Sequence, residues 1–434
     1  MKTYISQILI LLFICQCNNS HQKQTDTSVK EFSQEDVSSK VPDNLSSTAK
    51  ILSQWRGPNR DGIYPEKNLL KYWPPEGPSL VWKYDSLGMG YASAAVTNDK
   101  VYTVATLNDT SYVIGFSHTG QVLWKKKLGM EFTENYPGCR GTPIICDDYG
   151  YYLSGLGVLY CFDIETGNSI WQKDVKKDYN GQHNSSGYSE NLIVEGNKVI
   201  CTPTGDHFSV IALNRINGEV LWESKGNEGN SYSNPILIER GSKKIFIIQL
   251  LKSIVGIDIE DGKRLWKFPM RSDLHSNTPI YKDGYILAID SWNGLTVKLR
   301  LSEDGTSVTE EWNTKDLAAE QGDAVILGDR IYGADVANYS FNCVNWQTGE
   351  LIYKITRNSK PHRIATVSAD SLIYCYSDEG YFYLVNPLDN KFETRGKFKI
   401  PGNNIYHYAH PVIFKGCLYV RHHNSLFVYS IADN

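Results

Sequence analysis

The chain has 434 residues, 41% of them apolar and 21% charged, enough apolar material for a large core, which excludes a globally disordered polymer. Its 44 basic and 48 acidic residues leave a formal charge of −4, so no basic excess exists to neutralise phosphates, and nucleic acid is excluded as a partner. The 28 Tyr, 14 Phe, 10 Trp and 35 Gly point instead to strands joined by tight turns.

Residues 1–17 read as an export signal. Lys2 supplies the positive start, and Ile8 to Ile14 form an apolar run. That run is far shorter than the ~20 residues a membrane helix needs. Cys15 and Cys17 follow, then Asn18, Asn19 and Ser20, a junction that resembles the lipobox of bacterial lipoproteins. Cys17 is the expected lipidation site, with Cys15 as the alternative; an ordinary cleaved signal is the competing reading. The expectation is an exported protein in the periplasm or at the cell surface, attached to the outer membrane by a lipid anchor only. Residues 18–50 are rich in Ser, Thr, Gln, Lys and Asp and show no periodicity, the composition of a disordered tether. Residues 51–434 are expected to form the folded domain.

From there one unit recurs. Val113 to Gly120 ends at Trp124, Leu159 to Gly167 at Trp171, Val210 to Gly218 at Trp222, and Ile254 to Gly262 at Trp266. A longer copy through Asp304-Gly305 ends at Trp312, and Phe341 to Gly349 ends at Tyr353. A degraded copy around Val385-Asn386-Pro387 ends near Phe398. Each copy predicts a hairpin turning at Asp/Asn-x-x-x-Gly, and a second strand pair lies between hairpins, as in Leu192 to Thr202 and Val412 to Val420. The period of about 45 residues fits one four-stranded propeller blade. The final strand, Ser425 to Ile431, lacks an outer partner, which Leu80 to Tyr84 with Trp82 can supply. The predicted fold is therefore all-β: an eight-bladed β-propeller of four-stranded antiparallel blades, closed by an N-terminal strand, with seven blades as the alternative. Thr314 to Gln321 is the one short stretch that suits a helix. Of the seven Cys after the signal, most sit inside apolar strands and read as small buried hydrophobes.

The Trp-ended repeat with its Asp/Asn-x-x-x-Gly turn resembles the quinoprotein-type, or PQQ-like, propeller repeat. The opening Gln54-Trp55-Arg56-Gly57-Pro58-Asn59-Arg60-Asp61-Gly62 is similar to the entry motif of an exported bacterial branch, related to the outer-membrane assembly lipoprotein of the BAM complex. The resemblance implies one of two roles. The first is a funnel that binds pyrroloquinoline quinone, with calcium, or another polyhydroxylated or anionic ligand, and that oxidises alcohols or sugars as a PQQ-dependent type of oxidoreductase. The second is a scaffold that binds another envelope protein. A glycan-processing propeller is a lesser alternative. The chain departs from PQQ-dependent alcohol dehydrogenases in having no Cys-Cys pair and in being shorter.

In a propeller the first strand of each blade lines the axis. Aligning the blades gives Tyr91 and Ser93, Arg140 and Thr142, Tyr188 and Ser189, Tyr232 to Asn234, His275 to Asn277, Gln321 and Asp323, His362 and Arg363, and His407, Tyr408 and His410. The small polar members also suit hydrogen bonds to neighbouring backbone near the axis. Arg140, His275, Asp323, His362, Arg363 and His407 are the candidate ligand-binding residues, because buried charge needs a partner. No HxH or HExxH spacing supports a metal site, and none is expected. His422 and His423 read as a solvated loop.

Overall fold

A computed structural model describes residues 49–433, apart from 227, 273, 292–294, 357–362 and 403–406. The expected signal, Cys15, Cys17 and nearly all of the tether lie outside the described residues, as does His362. The rest folds as the eight-bladed propeller, each blade a separate antiparallel sheet. Blade 2 is representative: Ile144–Cys146, Tyr149–Leu153, Val158–Asp163 and Ser169–Asp174 pair in that order from axis to rim. In blade 8 the inner three strands are Val412–Phe414, Cys417–His422 and Ser425–Ser430. Its rim strand is Leu80–Tyr84, so the N-terminal part of the ring closes the C-terminal blade. Closure supplies the fourth strand and covers the outer edge of Ser425–Ser430.

The repeat's chemistry explains the packing. At the hairpins of blades 2, 3, 4 and 6 an Asp or Asn side chain folds back on its own turn: Asp163 Oδ1 accepts from the Glu165 and Thr166 N–H groups, and Asn345 Oδ1 from those of Gln347 and Thr348. The turn then needs a left-handed residue, supplied by Gly167, Gly218, Gly262 and Gly349 at φ of 72, 73, 74 and 76°. These glycines are also where the preceding blade's Trp lands. A Cβ on Gly167 would sit 2.4 Å from the Trp124 ring, and one on Gly262 2.5 Å from Trp222. The indole N–H then donates across the gap, from Trp82 to His118 O at 2.8 Å, Trp222 to Ile259 O at 2.8 Å and Trp312 to Trp346 O at 3.0 Å. The Trp and the Gly of the sequence repeat are thus two halves of one inter-blade contact.

Blade 7, whose sequence copy is degraded, is completed from elsewhere. Trp73 packs against Tyr374, Phe382 and Phe398, its Cβ over Gly396. Thr314 to Gln321 is not helical. Val308–Thr314 forms the rim strand of blade 5, and Gln321 and Asp323 take left-handed φ of 58° and 53°, which a continuing helix forbids. The helix among the described residues is the single turn Val175–Asp178, capped by Asp174 Oδ1 on the Lys177 N–H at 2.9 Å. None of the seven described Cys is in a disulfide; six are buried and Cys417 is half-buried. Among the described residues no helix is long and apolar enough to cross a membrane.

Candidate functional site

The axis is filled by the chain's own entry motif. Ile51–Ser53 adds antiparallel to the inner strand of blade 2, and Ile63–Tyr64 adds parallel to that of blade 7, so residues 54–62 cross the channel. The crossing is pinned by two fully buried arginines. Arg56 forms an ion pair with Asp323 at 2.8 Å and donates to Ala324 O at 2.8 Å and Asp61 O at 3.0 Å, all but the last on blade 6. Arg60 reaches blade 3, donating to Leu192 O at 2.7 Å and to Asn191 O. Gly62 is required because a Cβ there would lie 2.5 Å from the Arg56 guanidinium, at a φ of 79°. Burial lowers Arg60 to about 9, and burial raises the neighbouring Glu190 carboxyl to about 7.

Around this plug runs a belt of polar bonds that ties neighbouring inner strands together. Thr142 Oγ1 accepts from Ser93 N at 3.0 Å, Asn191 Oδ1 from Thr142 N at 2.6 Å, Asn234 Oδ1 from Asn191 N at 2.8 Å and Asn277 Oδ1 from Asp323 N at 3.1 Å. The small polar residues of the inner-strand starts thus serve mainly as backbone partners.

Above the plug lies a cavity of about 270 Å³. Trp55, 8% exposed, forms its floor beside His410, with ring centroids 4.9 Å apart. Tyr91, Tyr136, Tyr232 and Tyr408 stand around it; Tyr408 lies 5.4 Å from Tyr91 and 6.0 Å from Tyr136, centroid to centroid. Two guanidiniums, Arg140 and Arg363, face it, along with Ser189, Asn234 and Gln321. Arg363 is neutralised by Glu320, whose Oε2 is 3.0 Å from both Nε and Nη2. Arg140 is held by carbonyls of its own loop, Gly138 O at 3.2 Å, Asn135 O at 2.6 Å and Tyr136 O, and lies over the Phe132 ring. Burial lowers its pKa, a sign of a poorly solvated cation. His410 is held well below its ordinary value, by burial first and then by Arg56, so its 3.6 Å approach to Asp323 is made by a neutral ring.

Of the candidate residues, the structure brings Arg140 and Arg363 to this cavity. Three others turn away. His275 is wholly buried, its Nδ1 3.9 Å from Asp290, while its neighbour Ser276 faces the cavity. His407 stacks on His422 with centroids 3.6 Å apart, while its neighbour Tyr408 faces the cavity. Successive side chains of an extended segment point to opposite sides, so one of each pair had to be internal. Asp323 is buried as the counter-charge of Arg56, and burial raises its pKa against that attraction. His422 is likewise buried rather than on a solvated loop. It is bonded through Nδ1 to the Tyr376 hydroxyl at 2.8 Å, and burial lowers its pKa to about 3. Residue-by-residue reading missed Trp55, Arg56, Arg60 and Tyr136. A signal existed for the first three: one Trp followed by two Arg set among Gly, Pro and Asn, ahead of the first repeat.

The donor set does not fit a calcium-held quinone. Among the described residues no Asp or Glu lines the cavity, and no group of three or more His, Cys, Asp or Glu capable of holding a metal occurs. Calcium takes six to eight oxygens with carboxylates prominent among them, which Ser, Asn and Gln alone do not replace.

An eight-bladed ring of Trp-closed blades is the architecture of the PQQ-like propellers. The family model for outer membrane protein assembly factor BamB matches residues 109–355, more than half of the chain, and the chain belongs to that family. Assembly factor BamB of Moranella endobia is 23% identical over 179 residues, 40% of this chain and 42% of that protein. That of Xanthomonas campestris is 31% identical over 108 residues, 24% of this chain and 25% of that protein, so the matched stretches span less than half of either relative. Among solved structures, BamB from Moraxella catarrhalis superposes with a TM-score of 0.60 at 16% identity, covering 82% of this chain and 98% of that one. Quinohemoprotein alcohol dehydrogenase from Comamonas testosteroni gives 0.64 at 11% identity, covering 87% and 79%. These structural likenesses establish the fold alone.

Proposed function

We propose that this protein is an exported, lipid-anchored propeller whose plugged funnel binds a polyoxygenated ligand. The observation that carries the reading is the cavity over Trp55: aromatic faces on the floor and walls, with amides, hydroxyls and guanidiniums between them. Sugar rings present C–H faces to aromatics and hydroxyls to amides, and a concave site of this make-up suits them. Residues 1–17 act as the lipoprotein signal, Cys17 as the anchor point and 18–50 as the tether, which keeps the protein at the periplasmic or outer face of the outer membrane. Pyrroloquinoline quinone, as an aromatic tricarboxylate, meets the two arginines and Trp55 but not a calcium site. No oxidation step is therefore assigned.

Titration calorimetry with an oligosaccharide panel, and with the quinone with and without calcium, tests the reading. A saturable saccharide isotherm that is lost in Tyr136→Ala and Arg363→Gln supports it. Absence of any isotherm from the folded protein overturns it. A second reading, an assembly scaffold binding another envelope protein, is favoured by membership of the BamB family. It expects a co-purifying envelope partner whose capture is unchanged in those two variants.

A further inference from the structure

The two guanidiniums of the cavity are not equivalent, and the difference specifies the ligand. Arg363 belongs to a closed ion pair with Glu320, with Asp378 a further 3.9 Å contact. Arg140 has no carboxylate within 4.0 Å among the described residues. Its nearest acidic neighbour in charge, Glu131, is already saturated. Both Glu131 oxygens accept hydrogen bonds, from Tyr152 OH at 2.6 Å, Gly155 N at 2.7 Å, Phe132 N at 2.9 Å and Ser111 Oγ at 3.1 Å. The three bonds of Arg140 to loop carbonyls leave two of its five N–H groups, Nε and one on Nη1, without an acceptor among the described residues. A poorly solvated guanidinium held by neutral dipoles keeps its full charge for an incoming anion. On the opposite side the cavity offers unmet neutral groups. Gln321 Oε1 and His410 Nδ1 are buried without a hydrogen-bond partner among the described residues.

We infer that the ligand is an acidic saccharide, its carboxylate held by Arg140, its ring stacked over Trp55 and its hydroxyls paired with Gln321 and His410. This rests on the saccharide-binding reading above. A carboxylate-ended peptide is the less favoured anion, because among the described residues Leu274 is the only aliphatic member of the lining.

The test is calorimetry of the full chain with a galacturonic acid trisaccharide, the matching neutral galactose trisaccharide and a free-carboxylate tripeptide. The acidic sugar is expected to bind about tenfold tighter than the neutral one, equivalent to ~1.4 kcal/mol. Arg140→Gln should abolish that preference while neutral binding persists, and Arg140→Lys, which keeps the charge, should retain part of it. Equal affinity for the two sugars, or an undiminished preference in Arg140→Gln, overturns the inference and leaves saccharide binding standing. Tighter binding of the tripeptide than of either sugar overturns it in favour of a peptide ligand. Failure of both sugars to bind the folded chain overturns the saccharide reading itself. Tyr136→Ala, at a residue 41% exposed, should reduce binding of both sugars together, which separates a general loss of saccharide binding from the loss of acid preference in Arg140→Gln.

Discussion

Replacing Arg56 by Met should unlock the axial plug, and the size of the effect follows from the environment of the ion pair. Arg56 and Asp323 are 0% and 1% exposed and meet at 2.8 Å. With charge centres roughly 4 Å apart and an effective dielectric of about 20, their attraction is about 4 kcal/mol. Removing one member of a buried pair typically costs about 3–5 kcal/mol, because the survivor stays buried without its counter-charge. Arg56→Met should therefore destabilise the ring by roughly 3–5 kcal/mol in guanidinium denaturation at neutral pH. Asp323→Asn should fall in the same range. The double variant should cost less than the sum, with a coupling of at least about 2 kcal/mol. The pH dependence has a definite sign. Burial already raises the Asp323 pKa in the folded state, and losing Arg56 removes the positive charge that holds it down. The folded form of the variant then binds more protons than the unfolded form above pH ~4, so its deficit should grow as pH rises. Strict additivity of the two single variants, or a deficit that shrinks with rising pH, would refute the account of the plug as an electrostatic clasp.

Two further outcomes are expected. Glu190 has a folded pKa of about 7 against an ordinary 4.5, and its Oε1 has no partner, consistent with a protonated carboxyl. Stability should thus fall as pH rises from about 4.5 to 7, by up to ~3 kcal/mol, and Glu190→Gln should flatten that slope in thermal unfolding; an unchanged slope would contradict the assignment. Gly167→Ala should destabilise more than Gly328→Ala. Both glycines are left-handed, at φ of 72° and 59°, so both substitutions carry about 1–2 kcal/mol of backbone strain. Only at Gly167 does the new methyl also strike a ring, Trp124 at 2.4 Å, whereas nothing lies within 4 Å of Gly328. Equal melting temperatures for the two variants would refute the Trp-on-Gly contact as an energetic element.

The blades were legible because their determinants are local. An Asx turn, a left-handed glycine and an alternating strand recur within about 45 residues, and each leaves its own mark on the sequence. Blade 7 shows the limit. Its copy lacks the rim Trp, and Trp73, more than 300 residues away in the chain, fills the place over Gly396. The histidines show another. His275 and His407 stand one residue from Ser276 and Tyr408, which line the cavity, and a register shift of one residue exchanges the inside of a blade for the funnel.

The sequence by itself determined the all-β class, the eight blades, the rim Trp of most of them and the closure of the last by Leu80–Tyr84, because these rest on contacts that repeat with the chain. Tertiary structure alone decided that the entry motif fills the axis, that Asp323 answers Arg56, and that Arg140 meets no carboxylate among the described residues. Those facts depend on which charges meet across the ring, and burial makes each such meeting strong while the sequence separation leaves no periodic trace of it.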